Sequence, residues 1–154
     1  MDQLPRDEHP PNGGFEQRLG ARAAALGFDL AAVIPATLLP GRERLAAWLA
    51  EGRQGQMHWM ARYPRHDPER LLEGARSAIV TLTNYHQPEA LPEDASASAG
   101  LRIARYARGQ DYHDVLYERL ERLAGWVRAE LGANVAARAA TASAPLLERE
   151  LAAA

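Results

Sequence analysis

Apolar residues recur along this chain in two rhythms, one with the period of a helix and one with that of a strand. Phe15, Leu19, Ala23 and Leu26 fall on one face, which predicts a helix over 14–26 ended by Gly27. Phe28, Leu30, Ala32 and Ile34 then alternate with their neighbours as in a strand, and Pro35 closes the run. Leu45, Trp48 and Leu49 form the stripe of a second helix over 41–51, before Gly52. A short helix is expected around Met57 to Ala61. Beyond it, Asp67 suits an N-cap, Pro68 a first helical residue and Gly74 the position just past a helix end. Residues 77–85, SAIVTLTNY, make the clearest strand, apolar first and polar at its end.

In the second half the longest helix is predicted over 112–131. There Tyr112, Leu116, Leu120, Leu123, Val127 and Leu131 repeat at spacings of three and four. Residues 1–13 read as a disordered lead-in and 87–100 as an exposed mobile loop. Residues 101–107 read as extended, and 134–142 as a strand candidate weakened by its alanines. Pro145 is expected to open a last helix, PLLEREL. Helices and strands mix without strict βαβ order and no repeat is visible. The expected class is α+β, with one domain over 14–154.

Composition narrows the function classes. The chain has 154 residues, 47% hydrophobic and 25% charged, which suffices for one core. A net charge of −2 supplies no global basic field for nucleic acid. All 18 basic residues are arginine, which reflects either a compositional bias that also favours alanine or a surface suited to planar contacts with phosphate and carboxylate. Cysteine is absent, so this chain offers no disulfide, no thiol nucleophile and no thiolate ligands for zinc or an iron–sulfur cluster. The opening residues lack the apolar stretch of a signal peptide, and no run of 18 apolar residues exists. The expected address is the cytoplasm, without a membrane partner; oligomeric state stays open.

Nucleotide-binding glycine loops, nucleophile elbows and paired metal-ligand spacings are all missing, and the five histidines stand singly, so no metal site is expected. The informative stretch is RIARYARGQDYHDVL, residues 102–116. Arg102, Arg105 and Arg108 precede Gly109, and Asp111, Tyr112 and His113 stand at a helix start, where unpaired N–H groups and the positive dipole end suit an anion. The same residues also fit a plain cap, a core tyrosine and solvated arginines. A second cluster in HWMARYPRHDPERL (58–71) sets Trp59, Met60 and Tyr63 beside Arg62, Arg65 and His66. It suits the wall of a pocket for a large, partly apolar cofactor, or a loop packed over the core.

Taken in order, GFDLAAVIPA, WLAEGRQGQMHWMARYPR, DPERLLEGARSAIVTLTNY, ARYARGQDYHDVL and SAPLLERELA resemble the N-terminal half of epoxyqueuosine reductase over residues 14–151. That family uses cobalamin and iron–sulfur clusters in queuosine maturation in tRNA. The resemblance implies an α/β-sandwich like those of nitroreductase-like, cobalamin-handling domains. It implies cofactor contacts from Arg65, Ala104, Arg105, Asp111, Tyr112 and His113, and a place near the substrate for Tyr85. The implied reaction removes the epoxide oxygen of epoxyqueuosine in a tRNA anticodon. An alkoxide leaving group calls for a buried acid. A flipped-out base calls for a pocket, with arginines on the flanking phosphates.

Two departures accompany the resemblance. The family takes its acid from a segment reading roughly Val-Asp-Ser/Thr-Ala/Gly-Pro, whereas here Thr141-Ala142-Ser143-Ala144-Pro145 puts Ala142 in the donor's place. The family's two [4Fe-4S] cluster motifs, in a ferredoxin-like domain, have no counterpart in this cysteine-free chain. The reading is therefore a truncated epoxyqueuosine reductase, expected to be inactive alone. The alternatives are a non-catalytic corrinoid- or tRNA-binding module, and a flavin-dependent reductase on a related fold. An apolar cofactor side left uncovered would favour dimerisation or poor solubility.

Overall fold

The computed structural model describes residues 13–36, 41–62, 67–85, 104, 107, 109–132, 134–141, 144 and 146–153. Residues 1–12 of the lead-in, the 87–100 loop, and the candidate residues Arg65, Arg105 and Ala142 lie outside them, while Gly13 already belongs to the first helix. The elements are α1 (Gly13–Ala25), β1 (Leu30–Pro35), α2 (Arg42–Ala50), α3 (Trp59–Arg62), a 3-10 turn (Pro68–Arg70), β2 (Ser77–Leu82), α4 (Tyr112–Leu131) and α5 (Glu148–Ala152). The class is α+β, as expected.

The core forms where α1, α4 and one face of the sheet meet. Leu19, Ala23, Phe28 and Leu123 are its buried centre, with Phe15, Leu26, Ala31, Ile79, Leu116, Leu120 and Trp126 packed around it. α1 and α4 run antiparallel. Phe15 stacks on Trp126 at 5.9 Å, Arg18 pairs with Glu130 at 2.6 Å, and near the other end of α1 Arg119 donates to the Gly27 carbonyl at 3.1 Å. Gly27 has φ +83°, and a Cβ there would meet the Arg119 guanidinium at 3.0 Å. Glycine is thus required twice, by the left-handed backbone that ends α1 and by the arginine that caps it.

Among the described residues the sheet has two strands, β1 antiparallel to β2, with Leu30 opposite Leu82 and Pro35 opposite Ser77. Partners in register share a face, so Ala31, Val33, Ile79 and Thr81 lie on one side, where Ala31 and Ile79 pack on the helical core and Val33 stays exposed. This corrects the expected strand face. Of Phe28, Leu30, Ala32 and Ile34, Phe28 is buried and Ile34 half-buried, but Leu30 and Ala32 are exposed. The Leu30–Leu82 pair is about half exposed, at 55% and 45%.

Other expectations shift at element ends. β2 stops at Leu82 rather than residue 85, because Thr83 onward leaves the ladder. The Asp67 cap forms as expected, its carboxylate accepting from the Glu69 N–H at 3.1 Å, but it starts a three-residue 3-10 turn, and no helix runs on to Gly74. Ala104 and Ala107 are joined by a turn hydrogen bond of 2.9 Å, and the rest of the run expected to be extended, 101–103 and 105–106, lies outside the described residues. α5 starts at Glu148, three residues after Pro145. α4 has the expected bounds, with Leu123 and Val127 buried. Leu131, the last position of its predicted stripe, is 49% exposed because it stands on the final turn, beyond the cover of α1.

Residues 134–141 form no strand. Arginine contacts to and from this run stand in place of a neighbouring ladder. Arg128 donates to the Ala137 carbonyl at 2.7 Å, and Arg138 reaches the Leu71 carbonyl at 2.7 Å. Ala139 and Thr141 are buried in this irregular run.

Candidate functional site

The start of α4 gathers three of the candidate residues. Asp111 is extended (φ −61°, ψ 117°) and accepts the His113 N–H at 2.9 Å, satisfying one of the donors a helix leaves free in its first turn. The same oxygen lies 2.8 Å from Nδ1 of His113. The Tyr112 and His113 rings sit 4.0 Å apart, tilted by 30°. Asp111 is exposed, while Tyr112 and His113 are half-buried. One helical turn therefore presents an anionic oxygen, an oriented imidazole and a phenol ring on partly open surface. With Nδ1 engaged by the carboxylate, Nε2 is the ring nitrogen left for a ligand or a proton.

The hydrogen bond from the His113 backbone N–H, and then that from its side chain, hold the Asp111 carboxyl below its ordinary value. A carboxyl depressed by folding stabilises the fold above its unfolded pKa, and that contribution is lost as pH falls through the lower folded value. Acidification below about pH 4 should therefore weaken the start of α4. Asp111→Asn keeps an acceptor at the cap and removes the ionisation. Its thermal midpoint is expected to fall less than the wild type's between pH 5 and pH 3. Parallel curves for the two proteins would reject this account.

Tyr85 is placed differently. It emerges past the end of β2 with 68% of its surface exposed. Two contacts from Asp29 carry the β1–β2 pairing beyond the strands: its N–H donates to the Leu82 carbonyl at 2.9 Å, and its carboxylate accepts from the Asn84 N–H at 2.6 Å. Asp29 was not singled out by sequence, since a partner 55 positions away leaves no periodic trace. Ala104 is exposed. The Thr141 carbonyl accepts from the Ala144 N–H at 2.7 Å, on either side of position 142. In the second cluster, Trp59 and Met60 fall on the single turn of α3; Trp59 is 50% exposed and Met60 half-buried. Tyr63 and His66 lie outside the described residues. Among the described residues no group of acidic and histidine side chains could hold a metal ion, and no helix is long and apolar enough to cross a membrane.

The model of the family described as "Epoxyqueuosine reductase QueG, DUF1730" matches residues 65–143, just over half of the chain. The chain belongs to this family. Three proteins named epoxyqueuosine reductase are among its curated relatives. That of Gloeobacter violaceus is 40% identical over 114 residues, covering 73% of this chain and 34% of the relative. That of Cyclobacterium marinum is 37% identical over 131 residues, covering 83% and 41%. That of a Synechococcus species is 36% identical over 143 residues, covering 88% and 41%. The chain thus spans about two fifths or less of the length of these relatives. No solved structure matches it. Arg65, Tyr85, Ala104, Arg105, Asp111–His113 and Ala142 fall inside the stretch that matches the family, whereas Trp59, Met60, Arg62 and Tyr63 of the second cluster lie before it.

Proposed function

We propose that this chain supplies the corrinoid- and substrate-facing part of an epoxyqueuosine reductase, an oxidoreductase that completes queuosine in tRNA in the cytoplasm. The observation that carries the reading is the coincidence of the family match with the assembled start of α4. The residues there suit a cobalamin edge. The half-buried Tyr112 and His113 rings offer apolar surface, and the Asp111 carboxylate and the free imidazole nitrogen can meet the polar arms of such a macrocycle. In this reading Arg65, Ala104, Arg105, Asp111, Tyr112 and His113 hold the cofactor, and the exposed Tyr85 faces the incoming base. The sheet and helices then correspond to a nitroreductase-like, cobalamin-handling sandwich.

Bound cobalamin would supply the electrons for removing the epoxide oxygen. The chain's own residues orient the cofactor and receive the flipped base, while arginines neutralise flanking phosphates. The [4Fe-4S] clusters that feed such a reaction need thiolates this chain does not have. The proton for the departing oxygen has no carboxyl source at position 142.

A visible-absorbance titration of the chain with cobalamin tests the reading. A saturable spectral change at micromolar concentration is expected, weakened about tenfold by His113→Ala through loss of a hydrogen bond (about 1.4 kcal/mol). A flat spectrum up to high micromolar cobalamin would reject it. Flavin released on denaturing the purified protein would favour a flavin-dependent reductase instead.

A further inference from the structure

α2 is held by little apolar burial. None of its side chains is buried, and Leu45, Trp48 and Leu49 are only half-buried. Its N-cap is Gly41, which has no side chain with which to cap the helix. A carboxylate from the far end of the chain stands there instead. A Cβ built on Gly41 would meet Oε1 and the carboxyl carbon of Glu150 at 2.7 Å. The same Oε1 lies 2.7 Å from the guanidinium of Arg44, in the first turn of α2. Glu150 thus places negative charge at the positive end of the α2 dipole and beside its first-turn arginine. Gly41 has φ −76°, a backbone any residue adopts, so the close approach of the carboxylate is what favours glycine there. Glu150 belongs to α5, whose Leu151 is buried and which also packs against β2.

We propose that Gly41, Arg44 and Glu150 form a latch that fastens α5 to the start of α2, and that these two helices open together, ahead of the core built by α1, α4 and the sheet. The ion pair is partly exposed and separates easily. α2 adds no buried side chain of its own, whereas α1 and α4 supply Leu19, Ala23 and Leu123 to the buried core. Segments with few buried apolar contacts open at lower cost than the core. The latch ties the chain on both sides of β2 into one unit, independently of the functional reading above.

Hydrogen exchange followed by mass spectrometry on the full chain tests this. Peptides from 42–50 and 146–153 should exchange together and faster than those from 115–127. Glu150→Ala should speed both segments about fivefold and leave 115–127 unchanged. Gly41→Ala pushes the carboxylate away without straining the backbone, so it should produce the same acceleration. In the Glu150→Ala background it should add nothing. Arg44→Gln, which spares both helices' packing, should act in the same direction. The latch is overturned if the acceleration stays confined to 146–153, if it extends equally to 115–127, or if Gly41→Ala has the same effect in both backgrounds.

Discussion

Leu19→Ala is expected to destabilise the fold by about 3 kcal/mol. Leu19 is 1% exposed and stands where Ala23, Phe28 and Leu123 converge, so its truncation leaves a cavity between α1 and α4. Neighbours can close that cavity only in part. The Phe15–Trp126 stack and the Arg18–Glu130 and Arg119–Gly27 contacts hold the two helices at fixed separation. In urea the loss should lower the midpoint by about 1.5 M with little change in slope. Leu131→Ala provides the contrast. Leu131 lies on the same predicted stripe as Leu123 but is 49% exposed, so its truncation should cost no more than about 0.5 kcal/mol. Equal losses for the two would mean that α4 does not end as described.

If the proposed function holds and position 142 is the acid's place, Ala142→Asp is expected to raise epoxyqueuosine reduction by about 10²–10⁴-fold, the usual contribution of a positioned general acid. The measurement is product formation on tRNA by this chain joined to the part of the Gloeobacter violaceus relative that lies outside its match here. An alkoxide departing without a proton is a poor leaving group, and neither alanine nor the hydroxyl of Ser143 supplies one near neutral pH. Equal rates with and without the substitution would show that the acid does not come from position 142. Cobalamin affinity should stay unchanged in the variant, which separates loss of the acid from loss of the cofactor site.

Much of the helical framework was legible in the order of residues. The spacing of Phe15, Leu19 and Ala23 places α1, and the bounds of α4 follow from six apolar positions at steps of three and four. Asp111 at the head of α4 was equally legible, because a cap acts on a backbone N–H two residues away and needs no distant partner. The strands were legible as elements, but the choice of face was not. Both faces of LAAVIP carry apolar side chains, so alternation alone cannot say which is covered. The covered face is set by where α1 turns at Gly27 and by the register of β1 on β2.

The site divides in the same way. The cluster Asp111-Tyr112-His113 is contiguous, so local geometry suffices to bring its hydrogen bonds and ring contact together. Asp29 on Asn84, Arg138 on Leu71 and Glu150 on Arg44 join residues 55, 67 and 106 positions apart. Such contacts carry no period and no motif, because a single polar side chain can meet any carbonyl or charge that folding delivers to it. Local periodicity and capping, which act over three or four residues, therefore determined the elements and the head of the candidate site. Long-range polar contacts, which exist only once the chain has closed on itself, decided how residues 134–141 run without a ladder, which sheet face is covered and what holds α2.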